Sequence, residues 1–391
     1  MKPAPGGLPR GRYRKEVIVM REVAVIGVGM HPFGRFTDKS IADMSREATV
    51  RALEDADVRW KDIQAAYVGH LYQGLVFGQR MLSEIGYSGI PIVNVEGACA
   101  SGSIAFRECY YGVALGRWDV CLALGAEKMA HGLIPVTGMR PLESAMGYQV
   151  FPASYAMIFR RYHELYGLTI EQLAKISVIN HNNGCLNPNS KYKLRLTIED
   201  VQNSRVIADP LTMYHCCPNT DGAACVILCA KEKASEYVTG PLVTIAASQL
   251  VSNSYETASV LENCVTKRAC DLAYEQSGIG PEDLDLIELH DCFTMAEAWH
   301  LGNMGVCEIG EEGSLIDSGN IEIGGRIPVN PSGGLLAKGH PVGATGIAQV
   351  CEVTWQLRGQ AGERQVEGAK IGMTHCHGAQ GAACAVHILK R

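Results

Sequence analysis

The sequence predicts an α/β protein built from two similar halves. Apolar segments of strand length alternate with segments in which apolar residues recur every three or four positions, as in amphipathic helices. The composition agrees, because a hydrophobic fraction of 47%, an aromatic fraction of 7% and 43 glycines are typical of a compact α/β enzyme. At 391 residues the chain has room for a large core and for two or three domain-sized units.

The elements of the first half follow one another in a regular order. A buried strand that ends in a glycine turn is predicted for REVAVIGVGMHPFGRF, and a helix is predicted for SIADMSREATVRALEDADV. Two strands, a helix and a further strand are then predicted, in this order, for IQAAYVGHLY, IPIVNVEG, SGSIAFRECYYGVALG and DVCLALGAEKM. This alternation predicts a mostly parallel sheet with helices on its faces.

The second half repeats the order of the first. The segment RALEDADVRWKDIQAAYVGH is matched by DLAYEQSGIGPEDLDLIELH, and TDGAACVILCAKEKA is matched by AQGAACAVHILKR. Such a repeat predicts two similar α/β layers that pack together. We therefore predict a flexible basic tail at residues 1–20, an N-terminal half at residues 21–126 and 209–240, an inserted loop domain at residues 127–208, and a C-terminal half at residues 241–391.

The inserted residues 127–208 have no counterpart in the second half. Helices are predicted inside them around MIFRRYHELYG and TIEQLAKISVINHN. We interpret the insertion as a lid over a functional site. A surface elaboration without a role at the site is the alternative interpretation.

Charge and cysteine content argue against several classes of protein. The net charge of -6 argues against a general nucleic-acid binder, which needs a basic face. Fifteen cysteines without a secretory signal indicate the reducing cytoplasm rather than a disulfide framework. We predict no membrane association, because no apolar segment is long enough to span a bilayer.

The loop VEGACASGSIAF contains a candidate nucleophile. A predicted strand ends at Gly97, Cys99 follows, and small residues lead directly into a predicted helix. At a helix N-terminus the positive end of the dipole and nearby N–H groups lower the pKa of a thiol and favour the thiolate. The small neighbours leave room for an acyl thioester, so this strand–turn–helix setting predicts a catalytic cysteine.

Three more loops bring imidazoles and thiols to the ends of predicted elements. The loop NPSGGLLAKGHPVGATG holds His340 between a glycine and a proline ahead of a helix, a rigid setting that suits a general base. In ELHDCFTM, His290 and Cys292 follow a buried strand, and in MTHCHGAQG Cys376 follows another. Small core residues are the alternative interpretation of these thiols.

Two clusters of His and Cys could suggest a metal site, and we predict that neither is one. His375, Cys376 and His377 are adjacent, and adjacent side chains on an extended chain point in alternating directions, so they cannot all meet one ion. The segment HCCPNTDGAACVILC raises the same question with Cys216, Cys217, Cys225 and Cys229, and we interpret these thiols as core residues.

Together, ACASG, HDCF, NPSGGLLAKGHPVGATG and a final Cys-x-Gly resemble the thiolase superfamily. HDCF and CCPNTDGAA resemble its sterol-carrier-protein-type branch, with bacterial and archaeal acetyl-CoA acyltransferase-like members. The resemblance extends from about Met20 to the C-terminus. It implies a thiolase fold: two repeated βαβαβαββ halves in a five-layered α/β/α/β/α core, with the loop domain over a coenzyme A tunnel.

The resemblance also implies roles for the site residues. Cys99 is the nucleophile and His340 activates it. His290 replaces the asparagine of classical thiolases and, with a water, helps to hold the thioester oxyanion. The backbone N–H groups of Cys99 and Gly378 form the oxyanion hole for the tetrahedral intermediate.

A second acid/base thiol is part of the same pattern, and the sequence offers two candidates for it. Cys292 from HDCF is the acid/base of the resembled branch, whereas Cys376 satisfies the Cys-x-Gly motif of other thiolases. We favour Cys292.

The implied reaction is coenzyme A-dependent cleavage of a 3-ketoacyl-CoA, or the reverse Claisen condensation, through an acyl-cysteine. We favour a bulky or aromatic acyl group, coenzyme A as a substrate and no tightly bound cofactor. Lys191, Lys193 and Arg195 of KYKLRL are candidate contacts for the coenzyme A phosphates, and a solvated basic strand is an equally good interpretation. A homodimer or dimer of dimers and a small zinc-ribbon/OB-fold partner protein are further implications.

Two other functions compete with this one. A decarboxylating ketoacyl synthase uses the same Cys-His-His set as Cys99, His290 and His340. The extra thiol beside His290 favours a thiolase, because decarboxylation needs no base to remove an α-proton. A non-catalytic thiolase-fold or lipid-transfer subunit is the second alternative, and the presence of Cys99 and His340 argues against it.

Overall fold

The computed structural model describes residues 20–130, 132, 134, 141–147, 150–254 and 261–391. The predicted tail lies outside these residues except for its last position. The strands are β1 (Val23–Gly34), β2 (Ala65–Gly69), β3 (Ile92–Val95), β4 (Val120–Glu127), β5 (Val206–Ala208), β6 (Leu211–Thr212), β7 (Asp221–Ala230), β8 (Val243–Val251), β9 (Leu286–Glu288), β10 (Ile371–Gly378) and β11 (Ala383–Lys390). The helices are α1 (Ile41–Asp55), α2 (Phe77–Ser83), α3 (Ser101–Ala114), α4 (Pro141–Ala145), α5 (Phe151–Tyr166), α6 (Ile170–Leu186), α7 (Ile198–Gln202), α8 (Val265–Ser277), α9 (Thr294–Asn303), α10 (Glu312–Asp317) and α11 (Val342–Arg358).

The main sheet consists of two half-sheets that meet at a short seam. Its strand order is β3-β2-β4-β7-β1-β8-β11-β10-β9, and β5 and β6 form a separate two-stranded ribbon. At the seam, β1 pairs with β8 only through Ala24 with Thr244 and Val25 with Val243. The order is the same on both sides of the seam, since β1, β7, β4 and β2 correspond to β8, β11, β10 and β9. This is the structural form of the sequence repeat.

The sheet is mixed, so the prediction of a mostly parallel sheet was wrong. β2 is parallel to β3 and β4, and β9 is parallel to β10. β7 is antiparallel to β1 and β4, and β11 is antiparallel to β8 and β10. In the second half the cause is the connection, because the short turn Ala379–Gly381 joins β10 to β11 and only antiparallel strands can be joined so briefly.

Two helices, α3 and α11, lie between the half-sheets and complete the predicted α/β/α/β/α order of layers. α11 contacts α3, β4, β7 and β10, while α1 covers the outer face of the first half-sheet and α8 that of the second. The two central helices approach closely through glycines. A Cβ on Gly102 would lie 2.5 Å from the carbonyl oxygen of Gly343, and one on Gly346 would lie 2.3 Å from the backbone nitrogen of Ser103. The predicted five-layered core is confirmed.

Strand β1 continues where the sequence predicted a glycine turn. It is 12 residues long and passes through Gly27 and Gly29 to Gly34. These glycines allow α1 to pack against the strand, since a Cβ on Gly27 would lie 2.3 Å from the carbonyl oxygen of Ala52 and one on Gly29 equally close to that of Ala48. Glycine was therefore required for close packing, and the prediction of a turn was wrong.

Residues 127–208 contain α4, α5, α6, α7 and β5, and β6, which pairs with β5, follows shortly after them. Both helices predicted inside the insertion are confirmed, and they correspond to α5 and α6. Helix α6 begins with a reciprocal capping box between Thr169 and Gln172, which satisfies two backbone N–H groups of its first turn. Helix α5 buries Phe159 and Tyr162 in the apolar cluster of the C-terminal half. The hydroxyl of Tyr162 donates a hydrogen bond to Glu312, which ties α5 to α10.

Within the described residues, every helix is too short or too polar to cross a lipid bilayer.

Candidate active site

A cavity of about 670 Å³ lies where α3, α11 and the loop after β9 meet the insertion. Its wall contains four of the predicted site residues: Cys99, His290, Cys292 and His340. One donor atom from each of Cys99, His290 and His340 lies within 4.8 Å of the others. The structure therefore brings together residues that are up to 241 positions apart in the chain, which is what a shared reaction centre requires.

Cys99 lies in a tight turn, Ala98–Ala100, that leads directly into α3. Ala98 has a positive φ of 52°, a backbone conformation that costs energy for any residue other than glycine. Local hydrogen bonds hold the turn: Ala98 N donates to Glu96 at 2.7 Å, and the hydroxyl of Ser101 donates to the carbonyl of Ala98 at 2.6 Å. The thiol is thus fixed at the cavity wall, as the strand–turn–helix pattern predicted.

The predicted low pKa of the Cys99 thiol was wrong. Burial raises the pKa of this thiol to about 11, and the backbone N–H groups of Ala379 and Cys99 offset only part of that rise. The helix N-terminus lowers the pKa of the thiol, but the loss of water around the thiolate raises it by more, because removing a charge from water is costly. Cys99 is therefore a neutral thiol at rest and needs a base to become a nucleophile.

His340 is held as a neutral base with its free nitrogen unprotonated. Its Nδ1 lies 2.7 Å from the hydroxyl of Thr345, and that hydroxyl donates its own proton to the carbonyl of Pro341 at 3.1 Å. The hydroxyl must therefore accept from Nδ1–H, which assigns the lone pair to Nε2. Within the described residues Nε2 has no hydrogen-bond partner. Burial lowers the pKa of His340 to about 3, so the ring is neutral at physiological pH.

His290 packs beside this base. The two ring centroids are 5.0 Å apart and nearly perpendicular. The backbone N–H of His290 donates to Nδ1 of His375 at 3.4 Å, which helps to fix the loop after β9. Burial, and then the neighbouring His340, lower the pKa of His290 well below its usual value. A neutral imidazole can donate one hydrogen bond, as the predicted oxyanion role requires.

The two candidate acid/base thiols lie in different environments. Cys292 borders the cavity, and its Sγ is 3.4 Å from the hydroxyl of Tyr155. Cys376 is fully buried against Ala100 and Ile104 and is not part of the cavity wall. Burial raises the pKa of both thiols.

Cys376 contacts the nucleophile's backbone and the neighbouring imidazole instead of the cavity. Its thiol donates to the carbonyl of Cys99 at 3.1 Å and lies 3.7 Å from Nδ1 of His290. It therefore packs behind the two residues that face the reaction centre.

Gly378 was predicted to donate its backbone N–H to the oxyanion, but a different residue faces the nucleophile. The backbone N–H that approaches the Cys99 thiol is that of Ala379, which also borders the cavity. Gly378 meets the backbone of the nucleophile turn, because a Cβ there would lie 2.3 Å from the carbonyl oxygen of Gly97. The glycine of Cys-x-Gly thus allows close packing, and the N–H one residue later points to the site.

The predicted cations for the coenzyme A phosphates do not border the cavity. Lys193 donates to the carbonyls of Gly184 and Asn187, and Lys191 lies 5.4 Å from the ring centre of Tyr192. Arg195 is exposed. The cation in the cavity wall is Arg205, which sequence analysis missed. Its neighbours NSRVIADP form no recognisable pattern, so only the fold reveals it.

Cys99, His290 and His340 are also the one group of described residues whose donor atoms are close enough to share a metal ion. The prediction of no metal site considered two clusters of residues that lie close together in the chain, and this group, whose members are far apart in the chain, was not among them. The same three side chains suit nucleophilic catalysis, in which a thiol, a base and an oxyanion donor converge.

Family models match nearly the whole chain. The thiolase N-terminal domain matches residues 23–232, and the thiolase C-terminal domain-like model matches residues 247–391. Acetyl-CoA acetyltransferase from Methanothermobacter thermautotrophicus is 44% identical, with 95% of this chain and 100% of that protein covered. Sterol carrier protein 2 from Oryctolagus cuniculus is 37% identical, covering 94% and 72%. Benzoylsuccinyl-CoA thiolase subunit BbsB from Thauera aromatica is 38% identical, covering 92% and 95%.

A solved structure has the same fold. The Ltp2-ChsH2(DUF35) aldolase matches with a TM-score of 0.83 and 24% identity, covering 95% of this chain and 98% of that one. Its fold, both family models and the identity to the three relatives agree with the HDCF and GHPVGATG motifs. This chain belongs to the thiolase family, in the branch that includes sterol carrier protein 2, and it is a thiolase-type acyltransferase.

Proposed function

We propose that this protein cleaves a 3-ketoacyl-CoA with a bulky or aromatic acyl group, using Cys99 as the nucleophile. One observation supports it above all: the thiols of Cys99 and Cys292 and the neutral imidazoles of His290 and His340 border the same cavity. This set matches the needs of two-step acyl transfer, in which a nucleophile, a base, an oxyanion donor and an acid/base act on one substrate.

In the first half-reaction, Nε2 of His340 takes the proton of Cys99, and the sulfur attacks the 3-keto carbon. The bond between the α- and β-carbons breaks, and Cys292 gives its proton to the α-carbon of the departing acyl-CoA. His290 donates to the thioester oxyanion. We propose that the backbone N–H groups of Cys99 and Ala379, rather than that of Gly378, donate to the oxyanion of the tetrahedral intermediate. Each such donor is typically worth ~3 kcal/mol of the barrier. Free coenzyme A then accepts the acyl group from Cys99.

The assignment of Cys292 over Cys376 as the acid/base rests on access. Cys292 borders the cavity, whereas Cys376 is fully buried and bonded to the backbone of Cys99. The same observation favours a thiolase over a decarboxylating synthase, because only the former needs a group that moves an α-proton.

The size and lining of the cavity favour a large acyl group. Its volume of about 670 Å³ is ample for a drug-sized ligand, and Phe151, Tyr155, Tyr192 and Phe293 contribute aromatic rings to its wall. The name of one relative, benzoylsuccinyl-CoA thiolase subunit, is consistent with an aromatic acyl group. Coenzyme A is the second substrate, and we propose no tightly bound cofactor. Arg205 replaces Lys191, Lys193 and Arg195 as the candidate phosphate contact, because it borders the cavity and they do not.

We propose that the protein assembles as a homodimer or as a dimer of such dimers. β3 is an edge strand, and its Val93 is 45% exposed. The connection between β2 and β3 exposes Leu75 and Tyr87 as well, at 84% and 96%. An unpaired edge strand beside exposed apolar side chains favours pairing with a second copy.

A small zinc-ribbon/OB-fold protein is proposed as an additional partner, and the cytoplasm as the location. The partner is supported by the name of the structural neighbour, which includes a DUF35 protein, and by the word subunit in the name of BbsB. The location is supported by the 15 cysteines, none of which is paired in the described residues.

The test is a panel of 3-ketoacyl-CoA substrates, from acetoacetyl-CoA to aryl derivatives, assayed with free coenzyme A. We expect kcat/KM to rise from acetoacetyl-CoA to the aryl substrates, and mass spectrometry to detect the shortened acyl group on Cys99. Equal or greater activity with acetoacetyl-CoA would contradict the proposed substrate class. Turnover of a malonyl thioester without cleavage of any 3-ketoacyl-CoA would instead identify a condensing enzyme.

A further inference from the structure

Tyr155 of the insertion reaches the thiol proposed as the acid/base. The tyrosine is 3% exposed, and its hydroxyl lies 3.4 Å from Sγ of Cys292. Within the described residues this is the hydroxyl's only hydrogen-bond partner. Both side chains border the cavity, so the contact lies at the reaction centre.

Packing fixes the ring of Tyr155 in this position. It stacks on Phe293, with ring centroids 4.4 Å apart and an interplanar angle of 25°. Its helix, α5, is itself anchored, because Tyr162 bonds to Glu312 and Tyr166 donates to Glu262 at 2.5 Å. A ring that is stacked on Phe293 and carried by an anchored helix cannot easily turn its hydroxyl away from Cys292.

Cys292 needs such a partner more than Cys99 does. Cys99 is close to two imidazoles, and the backbone N–H groups of Ala379 and Cys99 approach its sulfur. For Cys292, burial is the largest influence and raises its pKa, while the hydrogen bond with Tyr155 is the largest opposing effect. A thiolate at this position gains a charge-assisted hydrogen bond from the phenol, and such bonds are about twice as strong as neutral ones.

We propose that Tyr155 is the positioning residue of the acid/base thiol. Before reaction its hydroxyl oxygen accepts the S–H of Cys292. When Cys292 gives that proton to the α-carbon, the hydroxyl rotates and donates its own O–H to the new thiolate. Tyr155 keeps its proton throughout, and the thiolate regains one from the entering thiol of coenzyme A.

This inference rests on the proposed role of Cys292, and it gives the insertion a direct part in the chemistry. An α-carbon proton can move only when α5 is in position. Acylation of Cys99 by a simple acyl-CoA uses His340 and needs no hydrogen bond from Tyr155. Removal of the Tyr155 hydroxyl should therefore slow proton transfer at the α-carbon and leave the acylation of Cys99 unaffected.

The test is Tyr155→Phe, which keeps the ring that stacks on Phe293 and removes only the hydroxyl. We expect deuterium exchange at the α-carbon of an acyl-CoA to fall about ten- to a hundredfold, in line with the loss of a hydrogen bond to a charged group. The pH at which exchange reaches half its maximum should rise by about one to two units, because the thiol loses the partner that favours its ionised form. Acylation of Cys99 should be unchanged.

A matched control is Tyr274→Phe, which likewise removes one tyrosine hydroxyl but from a residue outside the cavity wall. The hydroxyl of Tyr274 donates to the carbonyl of Met304 at 2.8 Å, and the variant should keep both the exchange rate and the pH profile. Replacing Tyr155 by a fluorotyrosine, which has a more acidic hydroxyl, should shift the pH profile in the opposite direction from Tyr155→Phe. This second variant keeps the hydrogen bond and tests the inference even if Tyr155→Phe folds poorly.

The outcomes separate this inference from the proposed function. If Cys292→Ser abolishes exchange while Tyr155→Phe leaves its rate and pH profile unchanged, Tyr155 has only a packing role and the inference is overturned. If Cys292→Ser leaves exchange intact, the acid/base assignment itself fails and the inference fails with it.

Discussion

The two halves of the core supply different chemistry from equivalent positions of one repeated frame. In the first half the thiol Cys99 lies two residues before the central helix α3, and in the second half His340 lies two residues before the central helix α11. The helices cross at their first turns, where Gly102 meets the backbone of Gly343, so the two residues reach the same cavity. The repeat fixes where the side chains meet, and the residue type at each position decides what they do.

The strand ends show the opposite behaviour. His70 follows β2 and His290 lies just beyond β9, at the ends of two segments that match in sequence. His70 packs on Phe77, with ring centroids 4.7 Å apart, and does not border the cavity. His290 borders the cavity beside His340. Equivalent positions in the two halves therefore do not guarantee equivalent roles, because the loop after the strand decides which way the side chain faces.

The largest expected effect is at the nucleophile of the first half. Cys99→Ala should abolish acyl transfer and leave the fold and coenzyme A binding nearly intact, because it removes only the thiol, which borders the cavity, and keeps the backbone of the turn. Mass spectrometry after incubation with an acyl-CoA should find the acyl group on Cys99 of the unaltered protein only. An acyl group on any other residue would show that the first half does not supply the nucleophile.

The second test compares two thiols of the C-terminal half. Cys292→Ser should lower carbon–carbon cleavage and α-carbon exchange by about two to four powers of ten, the usual contribution of general acid–base catalysis. A serine hydroxyl ionises far less readily than a thiol. Cys376→Ser should be mild, since this buried residue contacts the carbonyl of Cys99 rather than the cavity. Acylation of Cys99 should survive in both variants.

A severe Cys376→Ser with a mild Cys292→Ser would reverse the assignment. It would mean that the protein uses the Cys-x-Gly thiol, 3.7 Å from His290, in spite of its HDCF motif.

The third test compares a histidine from each half by the pH dependence of Cys99 alkylation. His340→Ala should slow alkylation of Cys99 at neutral pH by about a hundredfold or more, as expected when a general base is lost. Without its base the thiol should ionise with the raised pKa of about 11 that burial gives it, so the variant should regain its rate only as the pH approaches that value. His70→Ala is the control from the first half and should leave the profile unchanged. If the pH profile of Cys99 alkylation is unchanged in His340→Ala, this histidine has a structural role and is not the base.

The sequence motifs predicted the fold and the positions of most site residues, because each motif consists of residues that are neighbours in the chain. Cys99 before a helix, His340 between glycine and proline, and the HDCF loop each predict a position at the end of an element, and the repeat predicts that these ends meet. Tyr155, Ala379 and Arg205 were missed because their proximity to the site depends on tertiary packing.

The pKa of Cys99 was mispredicted for a related physical reason. The helix end that lowers a thiol's pKa is visible in the sequence, whereas the burial that raises it comes from residues distant in the chain. Likewise, the glycines of β1 predicted a turn, although they serve contacts with a helix that only the folded structure reveals.

The smallest effect concerns the insertion, the part of the first half that the second half lacks. Arg205 borders the cavity, while Arg195, from the stretch first predicted to contact coenzyme A, is exposed outside the cavity wall. If Arg205 contacts a phosphate, Arg205→Ala should raise the KM for coenzyme A by about two- to fivefold, because exposed ion pairs are typically worth ~0.2–1 kcal/mol. The effect should shrink as salt is added, since ions screen exposed charges. Arg195→Ala removes the same charge from the same insertion and should leave KM unchanged. The reverse pattern, with KM raised only in Arg195→Ala, would show that the KYKLRL stretch contacts the phosphate and that Arg205 does not.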